Sequence, residues 1–576
     1  MSGKEKIENL DAVSVLTSTA DPSVSNPSKW QEFKDSFKRA DLDESAFSPG
    51  MTEAERAIAA TANSPMQKSL KPRHILLITL GGNIGTGLFV SSGTALRTGG
   101  PLGVLIGWII TGACCYTVVQ AMAELTVRFP VAGSHTTFAN RFIDRSFGFA
   151  VAWDYALLWL IVLPLELVAA SMTIKFWTTS INPDIFVAIF YVFIVAVNFF
   201  GVKGYGEAEF VFSSIKIVTI MGFIILALVL ICGGGPTHEY IGAQYWHDPG
   251  ALASGFKGVC SVFVSAAMSY MGTEVCGLAA AESANPRKAL PAAIKHVFWR
   301  ILLFYIVVLL LVGMLVPFNS ERLLGAGGGT SASPFVIAIQ THTISGLPSV
   351  MNAVIMLSLL SVGNSATFSC SRTICALAAQ GMAPKIFAYV DRKGRPLYAL
   401  LLSAVVGLFS FIAAYKDQDT VFAWLLSISG LSSIFLWSAI VLSHIRFRYA
   451  MKKQGRSLDE LAYVSNTGVY GSYFGLLVNI LIVICQFWVS LFPVGGAEPS
   501  PVIFFQGYLC VPLVLVLYLG HKIYKRNWAM YIRSEEMDLD TGRREMDLNL
   551  LKQEVAEERE LLRQKPFWYR TYKFWC

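Results

Sequence analysis

Long apolar runs constrain this chain more than any other feature of its sequence. The segment 470–493, for example, contains no charged residue over 24 positions. At a rise of 1.5 Å per residue, an α-helix of 18 or more residues crosses a hydrocarbon core of about 30 Å. Charged residues make up only 15% of the chain, whereas soluble domains contain about 25%. The sequence therefore predicts an all-α polytopic membrane protein.

Twelve apolar runs can be distinguished, and we number them spans 1 to 12. They lie near residues 74–95, 101–124, 148–178, 184–202, 208–232, 257–282, 297–317, 348–376, 397–414, 420–444, 470–493 and 502–521. They define a membrane domain over residues 73–521. The polar N-terminal tail, residues 1–72, is predicted to be mostly disordered because it is poor in aromatic residues and punctuated by Ser and Pro. It has no short apolar core near its start, so we expect no cleaved signal peptide.

Lysine and arginine are distributed unequally between the two sides of the predicted membrane domain. The odd-numbered loops contain only Arg97, Lys175, Lys257, Arg322 and Lys416. Apart from Lys216 in span 5, the other 40 of the 46 cations lie in the tails, at span ends or in even-numbered loops. Because cytoplasmic loops are enriched in Lys and Arg, both tails are predicted to be cytoplasmic.

The C-terminal tail, residues 522–576, has a charged stretch with its own apolar pattern. Leu548, Leu551, Val555 and Leu562 recur at helical spacing and predict an amphipathic helix. This helix is interpreted either as solvated or as docked against cytoplasmic loops. The aromatic cluster before Cys576 suits a membrane interface, and Cys576 is a candidate for lipidation. The other nine cysteines lie in or beside apolar runs, where we interpret them as small packing residues.

Span 1 contains a cluster of residues that form helices poorly. In ITLGGNIGTGLFVSSGTAL, Gly81, Gly82, Gly85 and Gly87 fall within seven positions, and each glycine costs about 1 kcal/mol relative to alanine in a helix. Close packing against neighbouring helices would explain glycines four apart, but not four in seven positions at mid-span. We therefore predict an unwound segment whose N–H groups, with the Thr86 hydroxyl, suit a carboxylate.

Span 6 contains a matching interruption in SAAMSYMGTEVCGLAAAES, where Gly272 precedes Glu274 by two residues. Paired interruptions at corresponding places in two halves of a membrane chain are a strong indicator of a transporter site. Their five-span separation fits two inverted five-helix repeats. Unwound carbonyls near Asn83 and Met268–Tyr270 would accept hydrogen bonds from an ammonium group. The two breaks together predict a site for a zwitterion.

Polar and ionisable side chains at membrane depth are functional candidates because burying them is costly. They are Glu166 in span 3, Lys216 in span 5, Glu274 in span 6 and Asn364 in span 8. A structural hydrogen-bonding role remains open for the glutamates and Asn364, and Lys216 could extend to the cytoplasmic interface. Glu124 and Asp154 lie near the inner face and are interpreted as gating or structural contacts.

Several stretches together resemble the fungal amino-acid permeases of the amino acid–polyamine–organocation superfamily. They include GGNIGTGLFVSSG, AELTVRFPVAGSHTTFANRFID, VKGYGEAEFVFSSIKIV, MGTEVCGLAAAESANPRKALP and the tail GRREMDLNLLKQEVAEERELLRQKPFWYRTYKFWC. The resemblance covers about residues 65–576 and is greatest to the general amino-acid permease branch. It implies a LeuT-like fold of twelve transmembrane helices, with spans 1–5 and 6–10 as inverted repeats.

The resemblance also implies roles for individual residues. Gly85, Thr86 and Gly87 would hold the substrate carboxylate, and the backbone of Met268, Ser269 and Tyr270 would receive the amino group. Gly272 and Asn364, singled out above from the sequence pattern, complete the predicted substrate site. Glu274 and Lys216 are the implied proton-coupling residues, Lys216 standing where related carriers have a sodium site. Glu166 matches an acid linked to substrate choice.

The implied function is proton-coupled import of amino acids across the plasma membrane by alternating access, with broad specificity and no cofactor other than the proton. Ubiquitination of N-terminal lysines and contacts with a ubiquitin ligase are implied at the tails. Met268 replaces a Phe that covers the substrate in many relatives, Asp154 a usual Asn, and Ala152 a usual Gly, so the detailed specificity does not follow from the resemblance.

Two alternatives remain open from the sequence. The chain could be a narrow permease for proline or basic amino acids, or a nutrient sensor that signals through its tails. No phosphate-binding loop, nucleophile elbow or metal-ligand cluster stands out, so we do not expect an enzyme. Short re-entrant filters of the kind found in ion channels do not stand out either.

Overall fold

The computed structural model describes residues 29–40, 50–51, 56, 59–61, 64–66, 70–131, 133–178, 180–236, 238–281, 286–324, 333–342, 344–414, 418–496, 498–541, 557 and 560–570. Helices account for nearly all of their regular secondary structure, and the only β-type pairing among them is an isolated bridge between Arg39 and Asp391. Cys576, most of the N-terminal tail and most of the predicted C-terminal amphipathic helix lie outside the described residues.

Helices occupy each of the twelve predicted spans. Span by span, they are Pro72–Leu77, Ile78–Gly82 and Gly87–Ser91 (span 1); Ser92–Arg128 (the end of span 1, and span 2); Arg145–Ile174 (3); Pro183–Phe199 (4); Gly201–Ile231 (5); Gly255–Tyr270 and Val275–Ala281 (6); Pro286–Trp299, Arg300–Val307 and Val308–Leu315 (7); Leu347–Ala379 (8); Leu397–Gly407 and Leu408–Ala414 (9); Gln418–Ser429 and Ser432–Lys453 (10); Gly468–Leu491 (11); and Pro501–Tyr508 and Cys510–Lys525 (12). Shorter helices between the spans include Ser134–Phe142, Gln244–His247, Glu321–Leu324 and Pro334–Thr341.

By length and composition, seven helices of the described chain can each cross a membrane, or eight if the bent pair in span 12 is counted as one. The other predicted spans coincide with shorter or interrupted helices, such as Pro183–Phe199 in span 4. The end of span 1 continues directly into span 2 within Ser92–Arg128, and a kink at Gly100 (φ 72°, ψ 172°) separates the two. The kink directly precedes Pro101, whose ring disfavours a helical conformation at the preceding residue.

The most extensive helix contacts join span 3 to span 8 and the helix Ser92–Arg128 to the first half of span 6. The first half of span 1 contacts span 5, and the second half contacts span 6. Spans 1 and 6, like spans 3 and 8, are equivalent members of two five-helix repeats. Equivalent helices of two repeats contact each other when they lie beside the pseudo-two-fold axis that relates the repeats. The packing therefore agrees with the predicted 5+5 arrangement and brings the two interrupted helices together.

An N-terminal segment, residues 36–40, lies along the loop between spans 8 and 9. The Ala40 N–H donates to the carbonyl of Val390 (2.9 Å), and the Arg392 N–H donates to the carbonyl of Lys38 (2.9 Å). This loop is one of those predicted to be cytoplasmic from their cation content.

A C-terminal segment, residues 530–541, packs against the helix Ser134–Phe142 and the end of span 10. The Ile532 N–H donates to the carbonyl of Ile143 (2.9 Å), and Arg141 donates to the carbonyls of Asp538 and Thr541 (2.7 Å each). Met537 is buried in an aromatic cluster on this side of the protein. Both terminal segments therefore lie beside cation-rich loops, on the side predicted to be cytoplasmic.

Replacing Arg141 with alanine is expected to release the C-terminal segment, because the change removes both hydrogen bonds and the ion pair with Asp538 (3.3 Å). A charge-assisted hydrogen bond contributes about 1.5–3 kcal/mol, so amide exchange over 532–541 should accelerate by roughly tenfold or more. Hydrogen–deuterium exchange would measure this. Arg533→Ala, at an exposed cation of the same segment, is the matched control and should leave exchange unchanged.

The same contact is expected to weaken at acid pH. Burial opposes ionisation of Asp538, but the Arg141 guanidinium and hydrogen bonds from Thr541 outweigh it and hold the pKa of Asp538 below its usual value. A carboxyl whose pKa is lowered by folding stabilises the contact above its unfolded pKa of about 3.9 and loses that contribution as the pH falls through the folded value. Equal protection of residues 532–541 at pH 7 and at pH 2, after correction for intrinsic exchange, would contradict this assignment.

Candidate substrate and coupling site

Span 1 is interrupted where the glycine cluster predicts. The first half ends with the π-helical turn Ile78–Gly82, and Asn83 leaves helical geometry (φ −110°, ψ 18°). Helical geometry resumes at Thr86 and continues through Gly87–Ser91. The carbonyl end of the first half and the N–H end of the second half therefore meet inside the protein.

The span 1 glycines also permit close approach of neighbouring helices. A Cβ atom at Gly87 would lie 2.5 Å from the Cα and 2.6 Å from the backbone nitrogen of Ser269 in span 6. A Cβ atom at Gly85 would lie 2.5 Å from Val362 in span 8. The glycines of span 1 therefore have two roles. They lie in an interrupted segment, and they allow that segment to pack closely against spans 6 and 8.

Span 6 is interrupted at Met271–Glu274, between the helices Gly255–Tyr270 and Val275–Ala281. Gly272 has a φ of +80°, which residues with a Cβ rarely adopt. The Asn83 side chain donates to the Gly272 carbonyl (2.8 Å) and joins the two interruptions directly.

The structure corrects the expectation of unwound carbonyls at Met268–Tyr270. These residues form the last turn of the first half of span 6, so their carbonyls belong to a helix C-terminus, which carries partial negative charge. The Ser269 carbonyl accepts a hydrogen bond from the Tyr305 hydroxyl (2.7 Å), and the Tyr270 hydroxyl donates to the Trp108 carbonyl of span 2 (3.0 Å). The Tyr270 hydroxyl is therefore engaged with span 2.

Glu166 lies beside the start of the second half of span 1. The Thr86 hydroxyl donates to its Oε2 atom (2.6 Å), and both side chains are almost fully buried. This contact places a carboxylate of span 3 next to the three residues predicted to hold the substrate carboxylate. Thr86 is therefore engaged with Glu166 in this structure.

Glu274 is fully buried after the interruption of span 6. Its Oε1 accepts from the Gly272 N–H (3.2 Å), and its Oε2 accepts from the Trp437 indole of span 10 (3.4 Å). Within the described residues, no cation lies within ion-pair distance of Glu274. A buried carboxylate without a positive partner is a group whose charged form is costly.

Lys216 lies at the interruption of span 1 and is fully buried, so it does not extend to the cytoplasmic interface. Its amine donates to the carbonyls of Gly82 (3.2 Å) and Ile84 (3.4 Å) and to the Ser361 hydroxyl of span 8 (2.8 Å). Glu209 lies 3.6 Å away and is equally buried. Sequence reasoning missed Glu209, although its position seven residues before Lys216 places both on one face of span 5.

Arg300, a buried cation near the same interruption, was not predicted from the sequence either. Arg300 in span 7 donates to the Thr79 carbonyl at the end of the first half of span 1 (2.8 Å) and to the Tyr305 hydroxyl (3.0 Å). Since Tyr305 in turn donates to Ser269, Arg300 links the two interrupted spans. Arg300 is the fourth residue of the apolar run of span 7, and this position could have indicated a buried cation.

Three other candidates contact helices that flank the interruptions. The Asn364 Oδ1 accepts from Asn198 of span 4 (2.8 Å). Glu124 binds Arg448 through two hydrogen bonds (2.5 and 2.7 Å). Asp154 accepts from Ser432 of span 10 (3.0 Å). The contacts of Glu124 and Asp154 join span 10 to spans 2 and 3, as expected for structural contacts.

Comparison with known proteins agrees with this geometry. A family model described as amino acid permease matches residues 74–533. The chain is 58% identical to the general amino-acid permease of Saccharomyces cerevisiae, with 95% of this chain and 92% of the relative covered. It is 54% identical to a general amino-acid permease of Candida albicans, covering 95% and 93%, and 52% identical to the histidine permease of Saccharomyces cerevisiae, covering 89% and 86%.

These matches confirm the predicted resemblance and the LeuT-like polytopic fold, and they identify a transporter rather than an enzyme. The interrupted spans, the packing and the matched residues lead to one conclusion: the chain belongs to the amino acid permease family.

Proposed function

We propose that this protein imports amino acids together with protons by alternating access and that it accepts a broad range of them. The observation that carries the proposal is the direct contact of two interrupted helices, in which the Gly87 backbone lies against that of Ser269. The N–H end of one half-helix and the carbonyl end of another thus lie together. That pairing suits the carboxylate and the ammonium group of an amino acid.

Broad specificity is supported by the similarity to two relatives that are both general amino-acid permeases. The similarity to a histidine permease supports the second candidate, a narrow permease. Uptake of labelled amino acids in cells lacking their own permeases, in competition with each of the twenty, tests both. Broad competition is the expected result, whereas competition by one chemical class alone would favour the narrow permease. Absence of uptake would contradict the transporter proposal.

We further propose a plasma-membrane location with both tails in the cytoplasm. The support is the packing of residues 36–40 and 530–541 beside loops that are rich in Lys and Arg.

Ubiquitin-ligase contacts and a signalling role of the tails, and lipidation of Cys576, are proposals that rest on the sequence alone. Uptake that persists after tail deletion would favour the carrier over the nutrient sensor.

Replacing Glu166 with glutamine is expected to reduce uptake of lysine relative to alanine. A cationic substrate side chain requires a nearby anion, and Glu166 lies 2.6 Å from Thr86 at the predicted carboxylate site. Loss of one charge-assisted contact, about 1.5–3 kcal/mol, corresponds to roughly tenfold or more in uptake efficiency. Alanine uptake by the same variant is the internal control, and an unchanged lysine-to-alanine ratio would rule out the assignment.

A further inference from the structure

The clearest feature that the sequence did not predict is the buried ion pair of span 5. The Lys216 Nζ and Glu209 Oε1 atoms are 3.6 Å apart, and neither side chain is exposed. The Ser361 hydroxyl joins the two charges, because it donates to Glu209 Oε1 (2.6 Å) and accepts from Lys216 (2.8 Å). Ser213 also donates to Glu209 Oε1 (3.2 Å).

The amine of Lys216 occupies the place of a bound cation. It faces the carbonyls of Gly82 and Ile84, at the C-terminal end of the first half of span 1, where the helix dipole favours positive charge. Carbonyls at such half-helix ends coordinate cations in transporters of this architecture. Only the charged amine has both the positive charge and the three N–H donors that these contacts need.

Few other charges act on this pair. Among the described residues, Glu166 of span 3 and Arg300 of span 7 also interact electrostatically with Lys216. From span 1, His74 interacts instead with the exposed Glu207 at 3.2 Å, and span 8 presents Ser361 and, beside Glu209, Asn364. Glu166 accepts a hydrogen bond from Thr86, whereas the Oε2 atom of Glu209 has no hydrogen-bond partner among the described residues.

We propose that Glu209 is a positioning residue for proton coupling, which keeps Lys216 charged and sets the pH at which Lys216 releases its proton. In that release the N–H bond breaks, the electron pair stays on Nζ, and the proton passes to water when the site opens. Once Lys216 is neutral, the charge-assisted contacts that join span 1 to spans 5 and 8 are weakened. This inference rests on the proposed function, because it assigns a role within the same transport cycle.

The first test compares Glu209→Gln with Glu207→Gln, two changes in the same GEAEF segment. Without a counter-ion, the buried amine needs a higher proton concentration to stay charged. An opposite charge within 4–6 Å typically changes proton affinity by one to three pH units. Half-maximal uptake by Glu209→Gln should therefore shift to a pH lower by roughly one unit or more. Glu207 is exposed and pairs with Arg73 (2.7 Å), so its variant should keep the wild-type pH profile.

A merely structural role for Glu209 predicts something different. Uptake would then fall equally at every pH, with an unchanged midpoint, and this result would overturn the proposal. A shift of the midpoint towards alkaline pH would overturn it as well.

The second test needs no transport, so it separates this inference from the proposed function. Thermal unfolding is measured for detergent-solubilised wild type, Lys216→Met, Glu209→Gln and the double variant. Each single change leaves one buried charge unpaired, which is strongly destabilising, whereas the double change removes both charges. The double variant should lose less stability than the two single losses added together. If only the double variant can be recovered as folded protein, this also supports the pairing of Lys216 with Glu209. A loss of stability in the double variant equal to the sum of the two single losses would contradict the pairing.

Discussion

Gly87→Ala is expected to abolish amino-acid uptake, while Gly222→Ala in span 5 leaves it unchanged. The alanine Cβ would lie 2.5 Å from the Cα of Ser269 and 2.9 Å from the carbonyl carbon of Met268. These are backbone atoms, so no rotamer change relieves the clash. The two half-helices would have to separate by about 1 Å to reach ordinary contact distances of about 3.5 Å, and both ends of the predicted substrate site would be displaced.

The control position has the opposite surroundings. A Cβ atom at Gly222 meets nothing within 4 Å, and alanine is the better helix former by about 1 kcal/mol. Initial rates of labelled alanine uptake, normalised to the amount of protein at the cell surface, would compare the two variants. Wild-type rates from Gly87→Ala would show that the contact between spans 1 and 6 is not needed for binding.

The second large effect is expected from Glu274→Gln, which should abolish accumulation of amino acids against a gradient while exchange across the membrane continues. Glutamine has nearly the same shape and keeps one oxygen to accept from Gly272 or Trp437, but it cannot take up a proton at neutral pH. Proton binding at this position would therefore be lost with little change in packing. Among the described residues, Glu274 lacks the ion-pair partner that Glu209 has.

Proteoliposomes separate the two activities. An imposed pH gradient should drive uptake by wild type and by the exposed-site variant Glu207→Gln, but not by Glu274→Gln. Counterflow of labelled amino acid, which needs no proton gradient, should persist in all three. Proton-driven accumulation by Glu274→Gln at the wild-type level would exclude Glu274 as a proton carrier, and loss of counterflow would indicate a structural role instead.

The interruptions of spans 1 and 6 could be predicted because they follow from local chemistry. Glycines in a span lower helix stability wherever the span lies, and Gly272 is needed for a backbone angle that other residues rarely adopt. The exact residues of the break were less predictable. Whether the carbonyls at Met268–Tyr270 are unwound or terminal depends on where the last helical turn closes, and the contact with Tyr305 helps to fix that position.

The partners of buried polar groups were harder to predict than the groups themselves. Asn364 was correctly seen as a polar residue at membrane depth, but its contact with Asn198 depends on how spans 4 and 8 pack. Glu209 was overlooked because it lies near the start of span 5, where a glutamate is also compatible with an interfacial position. Its helical spacing from Lys216 was visible in the sequence; its full burial was not.

The docking of residues 530–541 left no pattern in the sequence. Besides the Arg141–Asp538 ion pair and the burial of Met537, it depends on backbone carbonyls that accept from Arg141 and Gln454, and such carbonyls occur at every position of a chain. Apolar periodicity instead drew attention to the stretch from 543 to 565, most of which lies outside the described residues.

The placement of Lys216 and Glu209 on one helix also bears on how the chain enters the bilayer during synthesis. A single lysine at the centre of a transmembrane helix costs about 2.5–3.5 kcal/mol when the translocation machinery passes the helix into lipid. Ser361, the hydroxyl that joins the pair, belongs to span 8 and is synthesised after span 5. Glu209 emerges two helical turns ahead of Lys216, so span 5 can enter lipid with its own counter-charge and no net charge from this pair. The nascent helix thereby carries the means to shield its most costly residue before its later neighbours exist.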